Sequence, residues 1–402
     1  MDTRAAEFGI ACEACHGPGE RHVERNRDPL YRYRSYLRGE GDPTIVNPAR
    51  LSHVGASQVC GQCHSVSRFV DPGGWHDTGT PYRPGQPLEG ALELLHEDPP
   101  AGVDTRFWPD GVVRPNGREY NSLIRSPCFQ RGELSCLSCH TMHQPVSDGR
   151  PSPLWTDDQL TLGKQGDGGC TQCHTEYVDP ARLVAHTHHP AESPGSRCYN
   201  CHMPNTAYGL QKATRSHEIS NPTVAETALA GRPNACNLCH LDRTLAWTNQ
   251  TLSEWYGTPP APLDLEHERL ATGVRWALRG DAAQRALTAW SMGWEPARRA
   301  AGTDWMGLYL AVLLDDPYDA VRSIAYRSLR TLEPFRDFEY DFMAAPRERR
   351  IAARRAVVTW AESGGHRSSG PELLISRPGV AMEPTIYGLL AHRDERPILV
   401  VE

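Results

Sequence analysis

The sequence predicts a mainly α protein with extensive irregular loops, in two parts: a loop-rich domain over residues 1–245 and an all-α domain over 264–362, with an unassigned tail at 363–402. Three observations carry this expectation. All thirteen cysteines of the 402 residues lie before residue 240. Glycine (35) and proline (33) are frequent, while apolar residues make up only 39%. From about residue 242 the chain turns rich in Ala, Leu and Arg, with apolar residues at helical spacing. A segment poor in aliphatic side chains and rich in Gly and Pro leans towards disorder on composition alone. The interior of the first part must therefore be filled by something other than side chains.

The cysteines name that filler. Six times the chain reads Cys-x-x-Cys-His: Cys12/Cys15/His16, Cys60/Cys63/His64, Cys136/Cys139/His140, Cys170/Cys173/His174, Cys198/Cys201/His202 and Cys236/Cys239/His240. Two thiols at this spacing reach the two vinyl groups of one porphyrin as thioethers, and the next residue brings its imidazole under the iron. The motif predicts six covalently bound haem c groups with six proximal histidines. Structural zinc uses paired Cys-x-x-Cys but does not require His after each pair. A disulfide framework accounts for the cysteines and not for the histidines. Six such histidines by chance would occur roughly once in 10⁸, judged from composition. Cys128 is left over and reads as a buried inert thiol.

Electron-transfer haems take a second strong axial ligand, often another histidine. Twelve histidines remain, nine of them before residue 245. His22 follows His16 by six residues, across Gly-Pro-Gly, and would serve a neighbouring haem. His143 lies too close to His140 to reach round the same ring. With them, His217 and one of His186, His188 and His189 are the leading distal candidates; His53 and His96 come next, and His76 last. Met142 and Met203 each adjoin a motif and are expected to pack against a ring edge. Successive motifs are separated by 48, 76, 34, 28 and 38 residues, which suggests that the last four haems are neighbours.

The stretches ACEACHGPGERHV (Ala11 to Val23), CLSCHTMH (Cys136 to His143) and HTHHPAESPGSRCYNCHMPNTAY (His186 to Tyr208), followed by Arg215-Ser216-His217, resemble one family in particular. This is the cytochrome c-554-like branch of the multihaem cytochromes, related to hydroxylamine oxidoreductase and pentahaem nitrite reductase. The likeness covers residues 1–245. It implies distal roles for His22, His143, the 186–189 cluster and His217. It also implies further haem motifs upstream, hence an N-terminally truncated chain. The Cys-x-x-Cys-Lys motif of the nitrite reductase is absent from this sequence.

In the second part, helices are expected at 242–256, 265–279, 282–293, 304–314, 318–332 and 346–362. Asp315-Asp316-Pro317 should open one of them, with Asp as N-cap and Val321, Ile324, Ala325, Leu329 and Leu332 on one face. Asp-Pro-x-x-x-Val-Arg before such a helix resembles a HEAT repeat, a unit whose stacked helix pairs often bind partners. The arginines at 347–350 and 354–355 read as a solvated helix face.

The net charge of −7 and the lack of a basic cluster argue against nucleic acid. No apolar run is long enough to span a membrane. Haem attachment to cysteine pairs follows export, so the expected location is periplasmic or extracellular, although no signal peptide opens this chain. The sequence thus points to an electron carrier with redox proteins as partners. Two alternatives stand beside it: a haem enzyme with one open iron acting on a small nitrogen or sulfur compound, and a subunit docked into a complex or polymer through its helical domain.

Overall fold

The computed structural model describes residues 10–39, 41–97, 105–363, 368–396 and 398. Short helices dominate, and the described strands form three two-stranded antiparallel ladders. The chain divides into two compact units, one of Met1–His96, Gly117–Cys173 and His217–Ile219, the other of Glu97–Asn116, His174–Ser216 and Ser220–Glu402. The packing therefore does not divide near residue 245. It divides inside the cysteine-bearing segment, and the last two motifs fold with the helical residues.

In the first unit regular structure is sparse. Its longest helix, Pro29–Arg38, opens on Asp28, whose carboxylate accepts the Leu30 N–H at 2.9 Å, and stops at Gly39, where φ is +63°. That conformation costs a glycine little. Ser67–Phe69 pairs with Leu92–Leu94, and the small core beside this hairpin is Tyr82, Leu88, Ala91, Leu92 and Tyr120. Asn121 is buried and acts as a splint: its side chain accepts the Val66 N–H at 2.7 Å and donates to the Val66 and Leu95 carbonyls. Much of the unit's apolar surface is left uncovered, including Val23, Leu30, Tyr36, Leu37, Leu154 and Leu162. Such a polypeptide buries too little apolar area by itself to offset its ordering entropy.

The second unit is built differently. Thr272–Arg279, Ala282–Gly293, Met306–Leu313, Asp319–Leu329 and Pro346–Glu362 pack around Trp276, Met292, Trp305, Tyr309, Leu310, Phe335 and Trp360. The helices expected at 282–293 and 346–362 fall on those residues. Asp281 caps the first of them in a reciprocal box with Gln284, each side chain bonded to the other's backbone N–H at 2.9 Å. The helix expected at 265–279 is broken at Leu270 and Ala271, and Glu295–Ala301 forms an additional one.

The helix expected over 318–332 forms as Asp319–Leu329, with Tyr318 instead of an aspartate as its N-cap. Asp316 has other partners: it is fully buried, accepts the Tyr318 N–H at 2.9 Å and takes two bonds from Arg285. Val321, Ile324, Ala325, Leu329 and Leu332 are all buried, as that face requires. Within the tail, Leu373, Leu374, Ile375 and Ile386 join the main core, and Glu383–Leu390 is helical.

Candidate functional site

Each Cys-x-x-Cys-His segment closes a helical turn. In three of them the histidine N–H donates to the carbonyl of the first cysteine: His64 to Cys60 at 2.9 Å, His140 to Cys136 at 2.9 Å and His240 to Cys236 at 2.8 Å. Cys12–His16 and Cys198–His202 are themselves single helical turns. At 3.6 residues per turn, the first cysteine and the histidine share one face. No disulfide joins any of the thirteen cysteines.

The turns are clustered. In the first unit the Cys60 and Cys136 side chains hydrogen-bond, and Cys15 and Cys63 lie in the same electrostatic neighbourhood. Cys139 is coupled likewise to Cys170 and Cys173. In the second unit burial pushes the Cys201, Cys236 and Cys239 thiols up, Cys201 to about 11; the nearby Cys201 adds to the rise at Cys236 and Cys239, and Cys239 adds to that at Cys236.

The decisive geometry is in the imidazoles. His16 stands opposite His143 with ring centroids 6.1 Å apart, and His140 opposite His217 at 6.3 Å. In the second unit His202 stands opposite His186 at 6.1 Å, and His240 opposite His189 at 6.2 Å. The planes of these pairs are inclined by 26°, 26°, 7° and 35°. An imidazole nitrogen lies about 2 Å from a first-row metal ion, with the centroid roughly 1.1 Å behind it, so two axial imidazoles on one ion stand about 6.2 Å apart. The four separations match that spacing. Each pair offers two axial nitrogens, and among the described residues no three His, Cys, Asp or Glu side chains gather into a cation cage.

The ring tautomers suit this role. Nδ1 of His16 lies 2.8 Å from the Val46 carbonyl, Nδ1 of His140 2.9 Å from Asp158 O, and Nδ1 of His202 2.9 Å from Ser220 O. Nδ1 of His189 lies 2.6 Å from Thr187 O. A carbonyl only accepts, so the neutral ring carries its proton on Nδ1 and its lone pair on Nε2. Burial, then the positive fields of His189 and Arg243, push the His240 pKa down to about 4. That ring is therefore neutral at pH 7 and free to ligate.

The local fold explains which spare histidines take part. Helix Pro180–Thr187 ends at His188, whose φ of +55° reverses the chain. His186 then faces His202, and His189 is carried round to His240. His188 itself stacks on Trp255 at 4.4 Å. The backbone of Gly195 lies against His189 so closely that a Cβ there would be 2.2 Å from the ring. His217 is held by Ser126, which donates to the His217 carbonyl at 3.1 Å and accepts the Ile219 N–H at 2.8 Å.

Four of the candidate distal residues go elsewhere. Nδ1 of His22 lies 3.0 Å from Asp42, whose carboxylate also accepts from the Asn26 amide, and no motif imidazole stands opposite His22 among the described residues. His53 packs edge-on to Phe129 at 5.0 Å. His96 is exposed, and His188 is the C-terminal residue of its helix turn described above. Two of the 186–189 cluster, His186 and His189, stand opposite motif imidazoles where one was expected as a ligand. No histidine ring stands opposite His64 or His174 among the described residues.

No motif or spacing marks Glu119. Its Oε2 lies 3.1 Å from Nδ1 of His64. Burial would raise its pKa, but the bonds from His64 and the Gly117 N–H and the nearby His217 ring hold the carboxyl down at about 2. Comparison with known protein families, with curated proteins and with solved structures finds no match.

Proposed function

We propose that this chain is an extracytoplasmic multihaem c-type cytochrome that carries six covalent haems and passes electrons along them between redox partner proteins. The observation that carries the reading is the set of four opposed imidazole pairs at 6.1 to 6.3 Å, each with one member from a Cys-x-x-Cys-His turn. Iron held between two imidazoles in a porphyrin supplies one-electron chemistry whose potential depends on ligands, burial and hydrogen bonds.

The chain's own residues hold and orient the groups. The cysteine pairs anchor them, and the carbonyls of Val46, Asp158 and Ser220 fix the proximal tautomers. His143, His217, His186 and His189 close the opposite faces. Proximity of Cys15, Cys60, Cys63 and Cys136, and of Cys139 with Cys170, favours the order of motifs one to three, followed by the cysteines of motif four, within the first unit. Motifs five and six are neighbours within the second by the same criterion. The porphyrins would also cover the apolar side chains left bare in the first unit. Among the described residues no helix is long and apolar enough to cross a membrane. The periplasmic or extracellular location rests on the requirement that haem be attached after export.

The test is a reductive titration of protein matured in a host competent in cytochrome assembly. Six electrons per chain should be taken up, and the oxidised spectrum should show at least four low-spin irons. Uptake of no electrons overturns the reading. A stoichiometric high-spin iron that binds cyanide or nitric oxide would move it towards a haem enzyme acting on a small nitrogen or sulfur compound.

A further inference from the structure

The motif at Cys60, Cys63 and His64 differs from three of the others in what its imidazole touches. His16, His140 and His202 each meet a neutral backbone carbonyl. His64 meets a carboxylate, Glu119 Oε2, at 3.1 Å. Resting on the haem reading above, we propose that Glu119 is a positioning residue that gives His64 imidazolate character and lowers the reduction potential of the iron it would ligate.

The carboxylate is placed for this from both sides. Its second oxygen, Oε1, accepts the Gly117 N–H at 2.7 Å, which leaves Oε2 for His64. Gly117 has φ of +80°, a conformation that turns its N–H back towards the side chain two residues on and that other residues adopt only under strain. The helix Glu119–Leu123 starts here, and the Tyr120 N–H donates to the His64 carbonyl at 2.9 Å. One turn of chain thus fixes both the backbone and the ring of His64. The Glu119 side chain is 25% exposed and the His64 ring 56%, so water reaches the contact from the side of the ring.

A hydrogen bond to an ionised acceptor is stronger than one to a carbonyl. It draws the Nδ1 proton away from the ring and makes Nε2 the better donor, as carboxylate partners of metal-ligating histidines do. Stronger donation favours ferric over ferrous iron, so the electron is accepted less readily at this position. No proton or covalent bond is transferred in the step.

The experiment uses the full chain, haem-loaded, as wild type, Glu119→Gln and Glu119→Asp, with haem counted before each titration. Followed potentiometrically, one component of Glu119→Gln should rise by about tenfold in its reduction equilibrium constant, which is about 59 mV for one electron. Glu119→Asp should return it towards the wild-type value, a rescue that a purely structural role does not require. In wild type, near-infrared magnetic circular dichroism should show one charge-transfer band displaced to higher energy from the rest. Glu119→Gln with its full haem complement and an unchanged titration overturns the proposal. Should that variant fail to accumulate, a wild-type spectrum without the displaced band overturns it equally. A wild-type chain that binds no haem would instead remove the relay reading, and this assignment with it.

Discussion

A His189→Leu variant is expected to keep its haem complement while one low-spin iron becomes high-spin, whereas His188→Leu, one residue away, should leave the spectrum unaltered. The contrast follows from where the two rings go. His189 stands 6.2 Å from His240, the separation of two axial imidazoles on one ion, and His188 lies flat on Trp255 at 4.4 Å. Leucine fills the volume of the lost ring without a donor atom. The cysteine pair and His240 still anchor the group, so attachment persists and only the sixth ligand is lost. A weaker axial field stabilises the ferrous state, so the same iron should also rise in potential by more than about tenfold in equilibrium constant, or about 59 mV. Electron paramagnetic resonance of the oxidised variants reads the first effect and potentiometry the second. Equal spectra for the two variants would mean that His189 is not a ligand.

The largest effect on stability is expected at Arg285. Its side chain and that of Asp316 are both fully buried, and the two meet through Nε to Oδ2 at 2.6 Å and Nη2 to Oδ1 at 3.1 Å. Nη1 of the same guanidinium donates to the carbonyls of Gly280 at 2.7 Å and Asp394 at 2.9 Å. One residue thus ties Ala282–Gly293 to the loop before Asp319–Leu329 and to the tail. Arg285→Met removes the cation and leaves Asp316 buried with Arg393, at 3.4 Å, as its remaining charged neighbour. Breaking a buried pair in this way costs about 3–5 kcal/mol, because the surviving charge has lost its compensation. Urea unfolding followed by tryptophan fluorescence should show a midpoint lowered accordingly. The double variant Arg285→Met with Asp316→Leu should recover much of the loss, since apolar replacement of both partners is often close to neutral. A single variant as stable as wild type would show that the pair is screened.

What could be read from the residues alone was local. A Cys-x-x-Cys-His segment is one helical turn, so its chemistry is legible from five letters. So was the helix at 282–293, whose capping box and apolar period both lie within its own span. The partners across each gap were harder, because they are set by chain reversals far from the motif. His143 and His217 were among the leading distal candidates. The choice within the 186–189 cluster turns on the φ of +55° at His188, which no spacing rule supplies. The partners of His22 and His64 lie far along the chain: Asp42 is twenty residues on and Glu119 is 55 residues from His64. The aspartate expected to cap the helix over 318–332 does not do so; Asp316 meets Arg285, a contact between distant elements. The break in composition near residue 245 also failed to mark the packing boundary, since motifs five and six fold onto the helices that follow them.

The central claim is that porphyrins, bonded through thioethers, occupy the interior that this polypeptide does not fill. Intact-mass measurement after denaturation tests it most directly, because only covalent groups survive unfolding. Protein from a cytochrome-maturing host should then weigh more than its polypeptide by six haems, with all twelve motif cysteines blocked to alkylation and Cys128 alone reactive. A mass equal to the bare chain, with thirteen alkylatable thiols, would contradict it.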